Sequence, residues 1–231
     1  KASYAALEKD SNDALEANIN KNRQLLAELE AKQKALSAEQ DRLNKLKKDL
    51  EASSTRLAEL EKMIADKEAL MNKLKETLSK SLKAFEGKGL TVENRNGKVY
   101  VSMENKLLFE SGSWTVGTEG KKAVKLVGDV LGQNPDISVL IEGHTDNDKI
   151  TGTIGGGVEN NWDLSTKRAT AIVNILSENK AIDKKNLTAA GRGEYMPLMS
   201  NETAEGKAKN RRIEIILTPK LDEISKMLNE L

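Results

Sequence analysis

The chain has no cysteine and a single histidine, His144, in 231 residues. Without thiols there is no disulfide and no thiolate metal site, and one imidazole is too few for an ordinary zinc or iron centre, so no cofactor is expected. Lack of cysteine suits an oxidising compartment as well as the cytosol. Aromatic residues make up 3% of the chain and charged residues 32%, an unusual balance for one compact globule, so part of the chain is expected to be extended. No run of about 18 apolar residues occurs, which excludes a helix that spans a bilayer. Neither sign of charge dominates. The 37 basic and 36 acidic residues are interspersed and leave a net charge of +1, so there is no field to hold a nucleic-acid backbone or an anionic membrane surface. Membrane attachment is expected only through a segment absent from this chain, and the start at Lys1 instead of Met suggests a preceding signal peptide or anchor.

Glycine and proline are missing altogether from residues 1–86, which are rich in Ala, Glu, Lys, Leu and Gln, the residues that lose least on entering a helix. Counting by sevens from Leu29 gives Leu36, Leu43, Leu50, Leu57, Ile64, Met71, Leu78 and Phe85, one apolar column held for eight heptads. The second column is weaker. Ile19, Leu26, Leu46, Leu60 and Leu74 serve it, with Gln33, Gln40, Ser53 and Lys67 intervening. The pattern predicts a helical coiled coil over 1–86, with a parallel homodimer favoured over an antiparallel hairpin that would reverse at Ser53-Ser54-Thr55.

After Gly87 and Gly89 the period changes. Leu90–Glu93 and Lys98–Met103 alternate about Asn96-Gly97, the preferred pair for a two-residue hairpin turn that needs positive φ twice. Thr118 is placed to cap a helix with Ala123, Val124, Val127, Val130 and Leu131 on its apolar face, ended by Gly132 and Pro135. Strands are predicted at Ile137–Ile141, Leu187–Ala190 and Ile213–Leu217. A second helix is predicted from near Trp162, with Ala169, Ile172, Val173 and Leu176 inward. The fold class is therefore α/β, an α+β sandwich of order β-α-β-α-β over residues 87–219 with an N-terminal β-hairpin, joined to the long coiled coil. Residues 220–231 form a short amphipathic tail helix after Pro219.

Three polar segments stand out: I-E-G-H-T-D-N at 141–147, N-W-D-L-S-T-K-R-A at 161–169 and N-E-T-A-E-G-K-A-K-N-R-R-I-E at 201–214. They offer carboxylate, amide and guanidinium groups at loop and helix-start positions, with no nucleophile, metal cage or phosphate cradle. His144 has no Ser, Cys or acid beside it in a catalytic pattern. The Gly155-Gly156-Gly157 run lacks G-x-x-x-x-G-K-[ST] and is followed by Glu159, which would repel phosphate. The combination predicts recognition and not enzymatic catalysis. Arg211 and Arg212 are expected on opposite sides of a strand, one toward a ligand and one paired with a carboxylate on the sheet surface.

Residues 98–217 resemble the OmpA-like peptidoglycan-binding domain shared by outer-membrane protein A, the peptidoglycan-associated lipoprotein and the stator protein MotB. Four stretches carry the resemblance: L-L-F-E-S-G-S at 107–113, G-H-T-D-N at 143–147, N-W-D-L-S-T-K-R-A at 161–169, and G-R-G-E-Y-M-P at 191–197 followed by the run to Glu214. The resemblance implies a diaminopimelate ligand, with Asp146 on its ammonium and Arg168, expected one turn into the second helix, on its carboxylate. It carries Asn161, Thr145, Leu164 and Arg211 over as further positions around the ligand. A zwitterion held between opposite charges gains charge-assisted hydrogen bonds at both ends. The start of the helix near Trp162 is expected to add free N–H groups. Two departures are the inserted T-G-T-I-G-G-G-V at 151–158, which brings the chain nearer the stator branch, and Gly112 in place of an asparagine. The resemblance implies a cell-wall tether in the periplasm of a Gram-negative-type envelope, attached to the outer rather than the inner membrane. The alternative is the anchoring subunit of an ion-driven stator.

Overall fold

The computed structural model describes residues 2–110, 113–150 and 155–220. The expected tail helix, Gly112 and the first half of the inserted loop lie outside the described residues. The chain divides into two units, Lys1–Glu61 and Lys62–Leu231.

In the first unit the backbone belongs to helix α1, Ala2–Ser81. The helix runs without a break through Ser53-Ser54-Thr55, where the Thr55 hydroxyl donates to the Glu51 carbonyl at 3.0 Å, so the reversal required for the hairpin is not made. Leu29, Leu36, Leu43, Leu50 and Leu57 are 54–70% exposed. None of the described residues covers them.

The second unit begins inside the same helix and not at Gly87. Met71, Leu74, Leu78 and Leu82 follow an i, i+3/i+4 course and are buried with Phe85 in the main core. The last turns of the heptad column therefore face the domain's own core. The helix ends at Ser81, a 3₁₀ turn covers Lys83–Phe85, and Gly87 and Gly89 follow with φ of 74° and 92°.

Strands β1, Leu90–Arg95, and β2, Lys98–Glu104, form the expected hairpin, with φ of 52° at Asn96 and 71° at Gly97. A one-turn helix α2, Asn105–Leu108, follows, then α3, Thr118–Gly132. Gly117, not Thr118, holds the cap position of α3, and no side chain caps it. Next come β3, Ile137–His144, three residues longer than expected, and α4, Asn161–Leu176. Strand β4, Leu187–Gly191, helix α5, Ala204–Asn210, and β5, Arg212–Pro219, complete the order. The five-stranded sheet runs β1-β2-β5-β3-β4, with β3 and β4 parallel and the other neighbours antiparallel. Helices α2 and α5 are additions to the expected order.

Register aligns Val101, Ile215 and Ile141 across the centre of the sheet, and with Val99, Leu217, Val139, Met103 and Ile213 they form the buried inner face. Val124 and Val127 of α3 and Ala169 and Ile172 of α4 complete that core. Close approach of β3 to α4 depends on glycine: a Cβ on Gly143 would stand 2.1 Å from the Ser165 carbonyl oxygen. The end of β3 is thereby pressed against the first turns of α4.

Candidate functional site

Where β3 ends, the first residues of the β3–α4 connection are held in place. The Thr145 amide donates to the Gly193 carbonyl at 2.9 Å, and the Asp148 amide donates to Asp146 Oδ1 at 3.2 Å. Asn161, the first residue of α4, donates through Nδ2 to the carbonyls of Asp146 at 3.3 Å and Asp148 at 3.1 Å, and to Glu194 Oε2 at 2.9 Å. One amide thus ties the β3–α4 loop to the segment after β4. The start of α4 is itself closed by a capping box. Asn160 Oδ1 accepts from the amides of Trp162 and Asp163, and the Asp163 carboxylate accepts from the Asn160 amide. Those amides are consequently taken, and the free N–H groups expected there for a ligand carboxylate are not available.

Arg168 stands two turns into α4, not one, and is 3% exposed. Its Nε donates to the Ser113 carbonyl at 3.0 Å, and its guanidinium lies 5.3 Å from the centre of the Phe109 ring. Burial pulls this group down to about 10, Arg211 adds to the fall, and Asp146 opposes it. Asp146, 6% exposed, makes its close ion pair with Arg211 and not with Arg168. The Asp146–Arg211 pair spans 65 residues of chain.

All six residues singled out from the sequence, Thr145, Asp146, Asn161, Leu164, Arg168 and Arg211, line one open cavity of about 730 Å³. Phe109, Glu104 and Lys106 also line it, and sequence reasoning did not single them out individually. Burial raises Glu104, but hydrogen bonds from Lys106 and Lys209 outweigh it and hold the carboxyl below its ordinary range. Two features leave the cavity wall with unused hydrogen-bonding capacity. Among the described residues only Nε of Arg168 is engaged, and the buried Thr145 hydroxyl has no partner. A buried carboxylate and a desolvated guanidinium in one cavity suit a ligand carrying both charges.

Arg212 takes the opposite side of β5, as its spacing predicts, but its partner is buried. It donates to Glu214 at 2.9 Å, both residues lying under 8% exposed. Glu142 is cross-strand from Glu214, and His144 from Arg212, so the four lie on the sheet face opposite Ile141 and Ile215. His144 Nε2 is 3.7 Å from Glu142 and 4.0 Å from Glu214. Glu142, His144 and Glu214 are the one group among the described residues with donors close enough together for a metal ion. Each carboxylate is already held by a guanidinium, Arg192 at 2.8 Å on Glu142 and Arg212 on Glu214, which supplies the positive charge that a cation would bring. The cluster is a charge network with a neutral imidazole at its centre.

The second unit is an α/β sandwich with a charged cleft beside the end of β3, an arrangement suited to binding. Residues 108–211, within the globular part, match the model of the OmpA family. The chain is 38% identical over 120 residues to Motility protein B of Bacillus subtilis, covering 52% of this chain and 45% of that one. It is 34% identical over 133 residues to Probable lipoprotein YiaD of Escherichia coli, covering 58% and 57%. The chain thus spans about half the length of these two relatives. Among solved structures, a MotB-like protein from Desulfovibrio vulgaris shares the fold with a TM-score of 0.61 and 22% identity, over 70% of this chain and 99% of that one. The cell wall anchor of the type VI secretion system from Pseudomonas aeruginosa gives 0.55 and 30%, over 62% and 97%.

Proposed function

We propose that the cleft binds peptidoglycan non-covalently through the diaminopimelate of the stem peptide, and that the chain is the periplasmic anchoring part of a MotB-like membrane complex. The observation that carries the ligand reading is that a buried guanidinium, Arg168, and a buried carboxylate, Asp146, line one cavity. The ligand's ammonium competes with Arg211 for Asp146, and its carboxylate occupies the fork of Arg168. Arg211, once displaced, is free to turn to the same carboxylate. Thr145 Oγ1 supplies a further hydrogen bond and Leu164 an apolar wall. Asn161 acts by holding the loop. The similarity to Motility protein B supports the stator-like setting over a simple outer-membrane tether, and the inserted loop agrees with it. The tether reading retains support from the lipoprotein relative.

The exposed leucine column carries the second part of the proposal, a parallel homodimer through residues up to about Ile64. Two sites on one polymer then gain avidity without new contacts. Co-sedimentation with purified sacculi tests the site. The parent pellets with the wall, whereas Asp146→Ala and Arg168→Ala stay in solution; retention of both variants would overturn the assignment. Leu50→Cys tests the dimer, since rapid oxidative crosslinking is expected and a persistent monomer refutes it.

A further inference from the structure

The chain has seven aromatic residues, and two of them form an exposed stack beside the cleft. Trp162 and Tyr195 lie with ring centres 5.2 Å apart and planes inclined at 24°, yet Trp162 is 49% and Tyr195 65% exposed. The backbone builds this platform deliberately. Trp162 is the second residue of α4, held by the Asn160 cap, and Tyr195 follows the turn at Gly193, where φ is +55°. Neither side chain contributes to the core. Below the rings lies a second cavity of about 280 Å³ lined by Glu159, Asn160, Glu194 and both aromatics. Lys149, Ile150 and Asn161 line this cavity and the main cleft alike, so the two are continuous.

We infer that the Trp162–Tyr195 platform is a glycan subsite, on which an amino-sugar ring of the peptidoglycan strand stacks while its stem peptide enters the main cleft. The inference rests on the peptidoglycan reading above. Its chemistry follows from the surface. A flat, polar-rimmed aromatic face suits the C–H face of a pyranose, and the carboxylates of Glu159 and Glu194 with the Asn160 amide suit its hydroxyl and N-acetyl groups. Two stem residues separate diaminopimelate from the sugar and span about 7 Å when extended. Trp162 is the immediate neighbour of Asn161, which lines the cleft. A peptide or lipid partner would have no reason to share a wall with the diaminopimelate site, whereas the glycan is covalently joined to that ligand.

Calorimetric titration of the full chain with two probes tests this: a sugar-free stem tripeptide ending in diaminopimelate, and the disaccharide-tripeptide that carries the same peptide. The parent is expected to bind the disaccharide-tripeptide about tenfold more tightly than the tripeptide. Trp162→Ala and Tyr195→Ala should bind the tripeptide as the parent does, which also reports that they are folded, and lose most of the tenfold gain. Equal affinity of the parent for both probes, or a gain retained in both variants, overturns the glycan subsite and leaves the peptide site standing. Failure of the parent to bind either probe overturns the peptidoglycan reading itself.

Discussion

Acidification from pH 7.5 to 5.0 should destabilise this protein through one residue. His144 is 1% exposed, and burial, then the charges of Arg212 and Arg192, draw its imidazole from 6.5 down to about 3. The opposing influence is visible in the geometry, since Glu142 and Glu214 stand 3.7 and 4.0 Å from Nε2 and would favour an imidazolium. Their charge is offset by the guanidiniums bound to them, so desolvation wins. Because the folded pKa is depressed, the unfolded chain binds the extra proton first. Stability is complete above 6.5 and falls as pH drops from 6.5 toward 3. At pH 5 the unfolded state is favoured by roughly one and a half pH units of proton binding, or about 2 kcal/mol. The chain has no other histidine, so carboxylates, which act mainly nearer 4.5, hardly enter this window. Urea unfolding followed by the fluorescence of Trp114 and Trp162 reads the difference, and His144→Gln, which takes up no proton, should lack it. An equal loss in parent and variant refutes the reasoning. So does a gain on acidification, which would mean that the two glutamates hold a charged ring.

Arg168→Met should abolish sacculus binding while leaving the domain as stable as the parent or about 1 kcal/mol more so, because a buried charge without a close carboxylate partner is replaced by an apolar chain. A loss of more than 1 kcal/mol in the urea midpoint would contradict this. Gly143→Ala should cost at least about 3 kcal/mol by the same assay, since the new methyl meets the Ser165 carbonyl and must push β3 from α4. Asn210→Ala should cost about 2–4 kcal/mol: this residue, fully buried, accepts from the amides of Leu198 and Met199 and donates to the Met199 carbonyl and to Asn201. A change below 1 kcal/mol would show that the 198–201 segment is held by other means.

Local chemistry made much of this legible in the sequence. Asn96-Gly97 announces the hairpin because few other pairs accept two positive φ angles, and the alternation in β2 announces its buried face. The side of β5 taken by Arg212 follows from the period of two. What sequence left open was mostly a matter of partners. An apolar heptad column looks the same whether it meets a second helix or a sheet, so nothing in Met71, Leu74 or Leu78 distinguishes them from Leu43 or Leu50. Asp146 could be assigned to a site but not to Arg211, because two guanidiniums compete and only their three-dimensional distances choose between them. Helix α5 escaped because it has seven residues. Its signal was present in Thr203, whose hydroxyl accepts from the Gly206 amide at 3.0 Å ahead of a run of good helix formers.

The burial of Met71, Leu74, Leu78 and Leu82 has a mechanical meaning. A domain hung on a flexible linker can swivel and keep its grip while its stem turns. Here the stretch from Lys62 to Ser81 is keyed into the same core that supports β3 and α4, so a rotation or pull delivered to that stretch is delivered to Asp146 and Arg168 as well. In the proposed anchoring role the domain would act as a wrench and not as a leash: load on the helix would reach the cleft directly, with no slack between them.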